Sequence, residues 1–313
     1  MLLKCKKNGI MYNITSSNDD VYEELLLLSD KLTSKEIPTK IYHYTSMEAL
    51  FNGILCRDNS ESKICLRASN VLYLNDPKEI QLGLSYFEKL FDINVKDDFN
   101  TYADKYSGYF LTSFSSQKDY LPMWNIYARN ATGIALGFNS GIIKENKKGE
   151  ILSCLYEYNE IKAKLDDLFC NKEEVIDNNS SDDTKEKVIG IIIGLLLIIL
   201  LNAREDLLLI DDINKKLLPI FRLIVSLKDS SYSYENEIRL LNTLRKEEEV
   251  RFYFKNNYFI PYINQYFPKY ALEEIIVGPN NDMERIIYSI KTYLKHVGFE
   301  HVKVIPSKVP YRG

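Results

Sequence analysis

The chain has one tryptophan, three histidines and five cysteines in 313 residues, and each shortage excludes something. The cysteines stand at 5, 56, 65, 154 and 170, an odd number, widely spaced and without a C-x-x-C pair. Neither a disulfide framework nor a cysteine-based zinc site is expected, and a reducing cytoplasm suits such a set. Three histidines, His43, His296 and His301, are too few for a poly-histidine metal centre, so no metal is expected. There is no Walker A loop, no G-x-G-x-x-G after a strand, no H-E-x-x-H and no G-x-S-x-G. Gly133 and Gly137 belong to one strand-like run, and Ser113 and Ser115 to another that lacks a nucleophile elbow, which argues against serine hydrolase chemistry. The opening MLLKCKKNGIMYNITSS lacks the continuous apolar core of a signal peptide. The longest uncharged apolar run, VIGIIIGLLLIILL at 188–201, is 14 residues long and is followed by Arg204, Glu205 and Asp206. A bilayer needs about 20 apolar residues, so the run reads as a buried helix and no membrane contact is expected.

What is present describes an ordinary globular protein: 45% hydrophobic and 27% charged residues, enough to bury a sizeable core. The net charge of −4 argues against a broad electrostatic footprint for nucleic acid, although a local basic groove is compatible with it. Tyrosine is abundant at 23 residues. A biased coding composition is the plain explanation, and stacking on flat ligands is the functional one.

Four regions are expected. Residues 1–37 read as a short strand and an acidic helix ending before Pro38. Residues 38–160 carry the first half of an α+β core: the IYHYT strand at 41–45, then a helix in SMEALFNGIL capped by Ser46. CLRASNVLYLND follows as one or two strands closed by the Asn75-Asp76-Pro77 turn, with a helix from about Lys78. SGYFLTSFSS and TGIALGFNS read as strands on either side of a short helix, DYLPMWNIYARN. Residues 161–228 read as an α-helical insertion with a polar connector at 171–187. Those helices have three roles open to them: covering a cleft, forming the face of a homo-oligomer, or completing the core. Residues 229–313 return to strands (IRLLNTL, VRFYFKN, YFIPYI) and close with a strand–helix–strand unit. The expected fold is α+β, a split and mostly antiparallel β core interrupted by helices.

Four clusters of residues could carry chemistry, the last being Pro122-Met123-Trp124 with Tyr127, where the lone tryptophan reads most plainly as a packing anchor. His43 lies in an aromatic strand between Tyr42 and Tyr44, with Thr45 and Ser46 where strand gives way to helix. A lone histidine there is either a core residue bonded to a backbone carbonyl or a ligand position. Glu235 and Glu237 in SYENEIRLL would share one face of a strand with Arg239. They are then either a structural ion pair or a site where repulsion and burial split two carboxylates. Tyr73, Asn75, Asp76 and Glu79 form the third cluster, with a capped turn as its plain reading. A metal-dependent nuclease built on Asp76, Glu79, Glu235 and Glu237 lacks a recognised spacing.

The ordered blocks YHYTSMEALFNGIL, LRASNVLYLNDPKE, FLTSFS, PMWNIYARNATGIALGF, SLKDSSYSYENEIRLL, EEIIVGP and SKVPYR resemble the bacterial domain of unknown function 2971 family from about 40 to 312. The opening block is also similar to the first strand and helix of ADP-ribosyltransferase-like proteins, including DNA-modifying toxins. That second resemblance implies NAD as a substrate. His43 and Thr45 would hold its ribose and nicotinamide, and Glu237 or Glu235 would act on the nicotinamide ribose. Tyr73 would stack on nicotinamide, with Tyr44 and Tyr109 as competitors, and Asn75 and Arg239 would complete the binding set. It further implies transfer to an unknown macromolecular acceptor (protein or nucleic acid) or to water, and a role in bacterial conflict. A non-catalytic nucleotide- or partner-binding module of the same fold is the other reading.

Overall fold

The computed structural model describes residues 2–7, 10–15, 37–57, 62–74, 80–83, 85, 108–146, 149–156, 221–279 and 282–310. The apolar run at 188–201, the connector at 171–187, the acidic helix before Pro38 and Asn75, Asp76 and Glu79 lie outside them, whereas the helix expected from about Lys78 is present at its described positions, 80–83 and 85. The chain divides into two units. One comprises Met1–Lys35, Leu74–Ser107 and Leu155–Ser230, and the other Glu36–Tyr73, Gly108–Cys154 and Ser231–Gly313. In the first, β1 (Leu2–Lys7) and β2 (Ile10–Thr15) pair antiparallel. A helical stretch at 221–226 leads to Leu227, which bridges Leu155.

The second unit is an α+β domain built on an 11-stranded sheet. In chain order its strands are β3 (Lys40–Thr45), β4 (Leu55–Arg57), β5 (Ser62–Asn70) and β6 (Tyr109–Ser115). Next come β7 (Ile134–Asn139), β8 (Glu150–Ser153), β9 (Glu237–Thr243) and β10 (Arg251–Lys255). The last are β11 (Tyr258–Pro268), β12 (Leu272–Val277) and β13 (Lys303–Pro306). The path runs β10-β11-β5-β6-β3-β7-β12-β13, with β4 on β5, and β9 between β6 and β8. Every pairing in this sheet is antiparallel except β12 with β13.

That parallel pair needs a crossover, supplied by α3 (Met283–Val297). The helix buries Ile290, Leu294 and Val297, spaced for one face, and ends at Gly298, whose φ of 82° suits glycine. The shorter helices α1 (Leu121–Tyr127) and α2 (Ser140–Glu145) start at Pro122 in the first turn and at an Asn139 cap accepting from Ile142 N. Ser46 caps the turn Met47–Ala49 as its sequence suggests, but the helix then widens into a π-helical Leu50–Ile54.

Strand alternation assigns two apolar clusters to opposite faces of the central strands. Ile41, Phe114, Leu136, Phe138, Ile238, Leu240 and Ile275 pack with the buried side of α3. Tyr42, Tyr44, Ala135 and Ile276 pack with Met123 and Trp124 of α1. The end of α1, the end of β3 and the start of β7 close up at Gly133. A Cβ there would stand 2.3 Å from the Thr45 carbonyl oxygen and 2.9 Å from that of Ala128. Both obstacles are backbone, so Gly133→Ala should cost about 1–3 kcal/mol and lower the melting temperature by several degrees. A variant melting with the wild type would show that this backbone contact is not as close as described.

Candidate functional site

Strand β6 organises the site because its two edges are used differently. One edge pairs with β9 over its whole length, from Tyr109↔Thr243 to Ser115↔Glu237. The other edge is shared. Phe110 and Leu111 pair with Asn70 and Ser69 of β5, whereas Ser115 pairs with Tyr42 of β3. Between these contacts β5 and β3 part, and the sheet forks at Thr112, Ser113 and Phe114.

Side chains occupy the fork. His43 Nδ1 lies 2.9 Å from the Ser113 carbonyl oxygen, and its ring meets Phe114 edge-on at 5.9 Å. A carbonyl only accepts, so Nδ1 carries the proton and, in the neutral ring, Nε2 is left as an acceptor. Burial pushes the imidazole pKa below its usual value, only partly offset by the bond to Ser113, and keeps the ring neutral. The Thr112 hydroxyl donates to Gln265 Oε1 at 2.8 Å and lies 3.3 Å from the Arg67 carbonyl oxygen. Gln265 is buried, and its Nε2 has no partner among the described residues.

The acidic cluster is built differently from its sequence reading. Glu235 ends a 3-10 helix, Ser230–Glu235, and Asn236 takes a left-handed φ of 41° before Glu237 opens β9. The two glutamates therefore do not share a strand, and the same-face relation expected for them is corrected. Glu237 does share a face with Arg239, whose Nη2 donates to Glu237 Oε2 at 2.8 Å. Both are buried, and Cys154 Sγ lies 3.6 Å from the same oxygen. Glu235 is buried too, accepting from the Tyr127 hydroxyl at 2.5 Å, while its backbone carbonyl accepts from Ser115 Oγ at 2.6 Å.

Register and alternation then sort the expected residues. Ile238 and Leu240 lie with Ile41 and Phe114, so Glu237 and Arg239 face the Tyr42 and Tyr44 side. His43 and Thr45 face the other side, one strand away across β6. Tyr44 donates to the Gln117 carbonyl at 2.8 Å and rests edge-on against Trp124 at 5.0 Å. Tyr73 meets Tyr258 at 6.3 Å. Among the described residues no group of three or more His, Cys, Asp or Glu side chains could hold a metal, and no helix is long and apolar enough to cross a membrane.

The Tyr42 face also holds a row that the sequence reading missed. Glu237, Ser115, Tyr42, Gly137 and Glu274 stand opposite one another across β9, β6, β3, β7 and β12. Gly137 has no side chain, and a Cβ there would lie 2.7 Å from Glu274 Cγ and 3.0 Å from Tyr42 Cε1. That gap lets the Tyr42 hydroxyl donate to Glu274 Oε1 at 2.9 Å. Lys118 reaches both carboxylate oxygens, at 3.0 and 3.1 Å, and Lys40 reaches one at 3.4 Å. Burial alone would raise the Glu274 pKa, but Lys118, Tyr42 and Lys40 together hold it below the usual carboxylate value. Burial and then the bond to Glu274 push Tyr42 well up, so its phenol stays a donor. The signals for this row were the tandem acids in LEEIIVGP and the first tyrosine of IYHYT.

Residues 123–240 match the family model described as protein of unknown function (DUF2971), the family that the ordered blocks resemble. The matched stretch includes Tyr127, Glu235, Glu237 and Arg239, and begins after β3 and β6. No curated protein and no solved structure matches the chain.

The two titrations act in separate pH windows. Because the folded-state pKa of His43 is depressed, the unfolded chain takes up its proton first, and stability falls as pH drops through the ordinary histidine range of about 6.5. Glu274, also depressed, contributes stability that is lost only as pH falls through the ordinary glutamate range of about 4.3 and below. Thermal melting of His43→Asn should therefore show a flatter slope than wild type between pH 7 and pH 5. An unchanged slope would mean that His43 is not the neutral, carbonyl-bound ring described.

Proposed function

We propose that this chain is an ADP-ribosyltransferase-like protein that binds NAD at the fork of its sheet. In the catalytic form of this reading it cleaves the nicotinamide–ribose bond and passes ADP-ribose to a macromolecule or water. The observation that carries the reading is the fork itself. A split sheet with a neutral His43 offers a fixed acceptor, and Gln265 on the same face offers an unused donor, a pair suited to ribose hydroxyl and carboxamide groups. Cleavage builds positive charge on the ribose, and a carboxylate in a dry site stabilises it; losing such a group typically costs about 10²–10³-fold in rate. Glu237 or Glu235 supplies that carboxylate.

A second reading, a non-catalytic nucleotide-binding module, is favoured by a different observation. Glu237 is buried in a bond to Arg239 on the face opposite His43, so it would have to leave that partner to reach a sugar held at the fork.

Calorimetry with NAD and mass-spectrometric detection of free nicotinamide separate the two. Both readings expect binding that weakens in His43→Ala and Gln265→Ala. Only the first expects nicotinamide release that disappears in Glu237→Gln or Glu235→Gln with the fold intact. Wild-type protein that fails to bind NAD overturns both.

A further inference from the structure

We propose that the outer sheet face formed by β5, β10 and β11 is a platform for single-stranded nucleic acid, an inference independent of the NAD reading. The first support is charge. The chain carries a net −4, yet the three strands contain four basic residues, Lys63, Arg67, Arg251 and Lys255, and no acidic one. The second is aromatic density, since residues 251–270 hold nine Phe and Tyr.

The geometry places the two together. Register and alternation set Arg67 of β5, Tyr262 and Tyr266 of β11 and Tyr253 of β10 on one face. The Arg67 guanidinium lies 5.0 Å from the Tyr262 ring centre and 5.7 Å from that of Tyr253. It makes no ion pair with a described carboxylate, whereas the neighbouring Arg251 is held by Glu249 at 2.8 Å. Ser69 Oγ fixes the Tyr253 hydroxyl at 3.2 Å. Tyr258, at 60% exposure, extends the face to the hairpin turn, and Tyr266 is 38% exposed.

Exposed rings on a pleated surface, with a guanidinium stacked among them, match unstacked bases and a phosphodiester backbone. Bases in a duplex already stack on one another and offer these rings nothing. An acidic polypeptide would use the cations and leave the tyrosines idle.

Fluorescence anisotropy of the full chain with labelled oligothymidylate and oligouridylate of about 12 nucleotides, and with a duplex of equal length, tests this. The expected result is tighter binding of at least one single strand than of the duplex, weakening as salt rises from about 50 to 200 mM. Arg67→Ala with Tyr262→Ala should weaken it by about tenfold or more, and Tyr288→Ala, exposed on α3, should leave it unchanged. If the double variant fails to fold by circular dichroism, Tyr258→Ala takes its place, with a loss of several fold expected. Wild-type protein that binds no single strand, duplex bound as tightly, full affinity in the folded platform variant, or equal competition by polyglutamate would each overturn the proposal.

Discussion

A β-strand has two edges, and in this domain β6 has to satisfy three neighbours with them. Strand β9 takes one edge in full, so β5 and β3 must divide the other, and the sheet cannot continue flat past Thr112, Ser113 and Phe114. Backbone groups left between diverging strands still need partners. The imidazole of His43 and the hydroxyl of Thr112 provide them, and in doing so bring polar chemistry into the middle of an apolar sheet. The placing of His43 and Gln265 on one face beside the fork follows from this division of an edge.

On the face of Tyr42, two buried carboxylates end the same five-strand row under contrasting conditions. Glu237 is tied to the fully buried Arg239, whose rigid fork fixes geometry as well as charge. Glu274 is held by two lysines whose side chains remain 50% and 32% exposed, so its cations meet solvent while the acid does not. Removing Arg239 would strand a buried charge, which is costly. Water can partly replace either lysine. The row therefore has a stiff end at β9 and an adjustable end at β12, joined by Tyr42 reaching over Gly137.

Much of the framework was legible because it depends on local pattern. The alternation of Ile41, Tyr42, His43 and Tyr44, the Ser46 cap and the apolar spacing of α3 all follow from residues close in sequence. The relation of Glu235 to Glu237 was misread because an asparagine between them takes a left-handed conformation, a tolerance that Asn has and most residues lack. The facing of His43 relative to Glu237 could not be read at all. Alternation orders each strand internally, but only the pairing through β6 says which faces coincide. The bond from Tyr42 to Glu274 spans 232 positions and depended on the absence of a side chain at Gly137.

The pairing of β6 with β9 also sets a clock on synthesis. Tyr109 waits for Thr243, and β5 waits for β11, whose residues lie about two hundred positions further along. At roughly 5–20 residues per second, a ribosome takes about 6–26 s to go from the end of β6 to the end of β9. Throughout that interval the apolar inner face of β6 has no strand to cover its outer edge. A nascent chain halted before position 237 cannot complete the strand order around the fork.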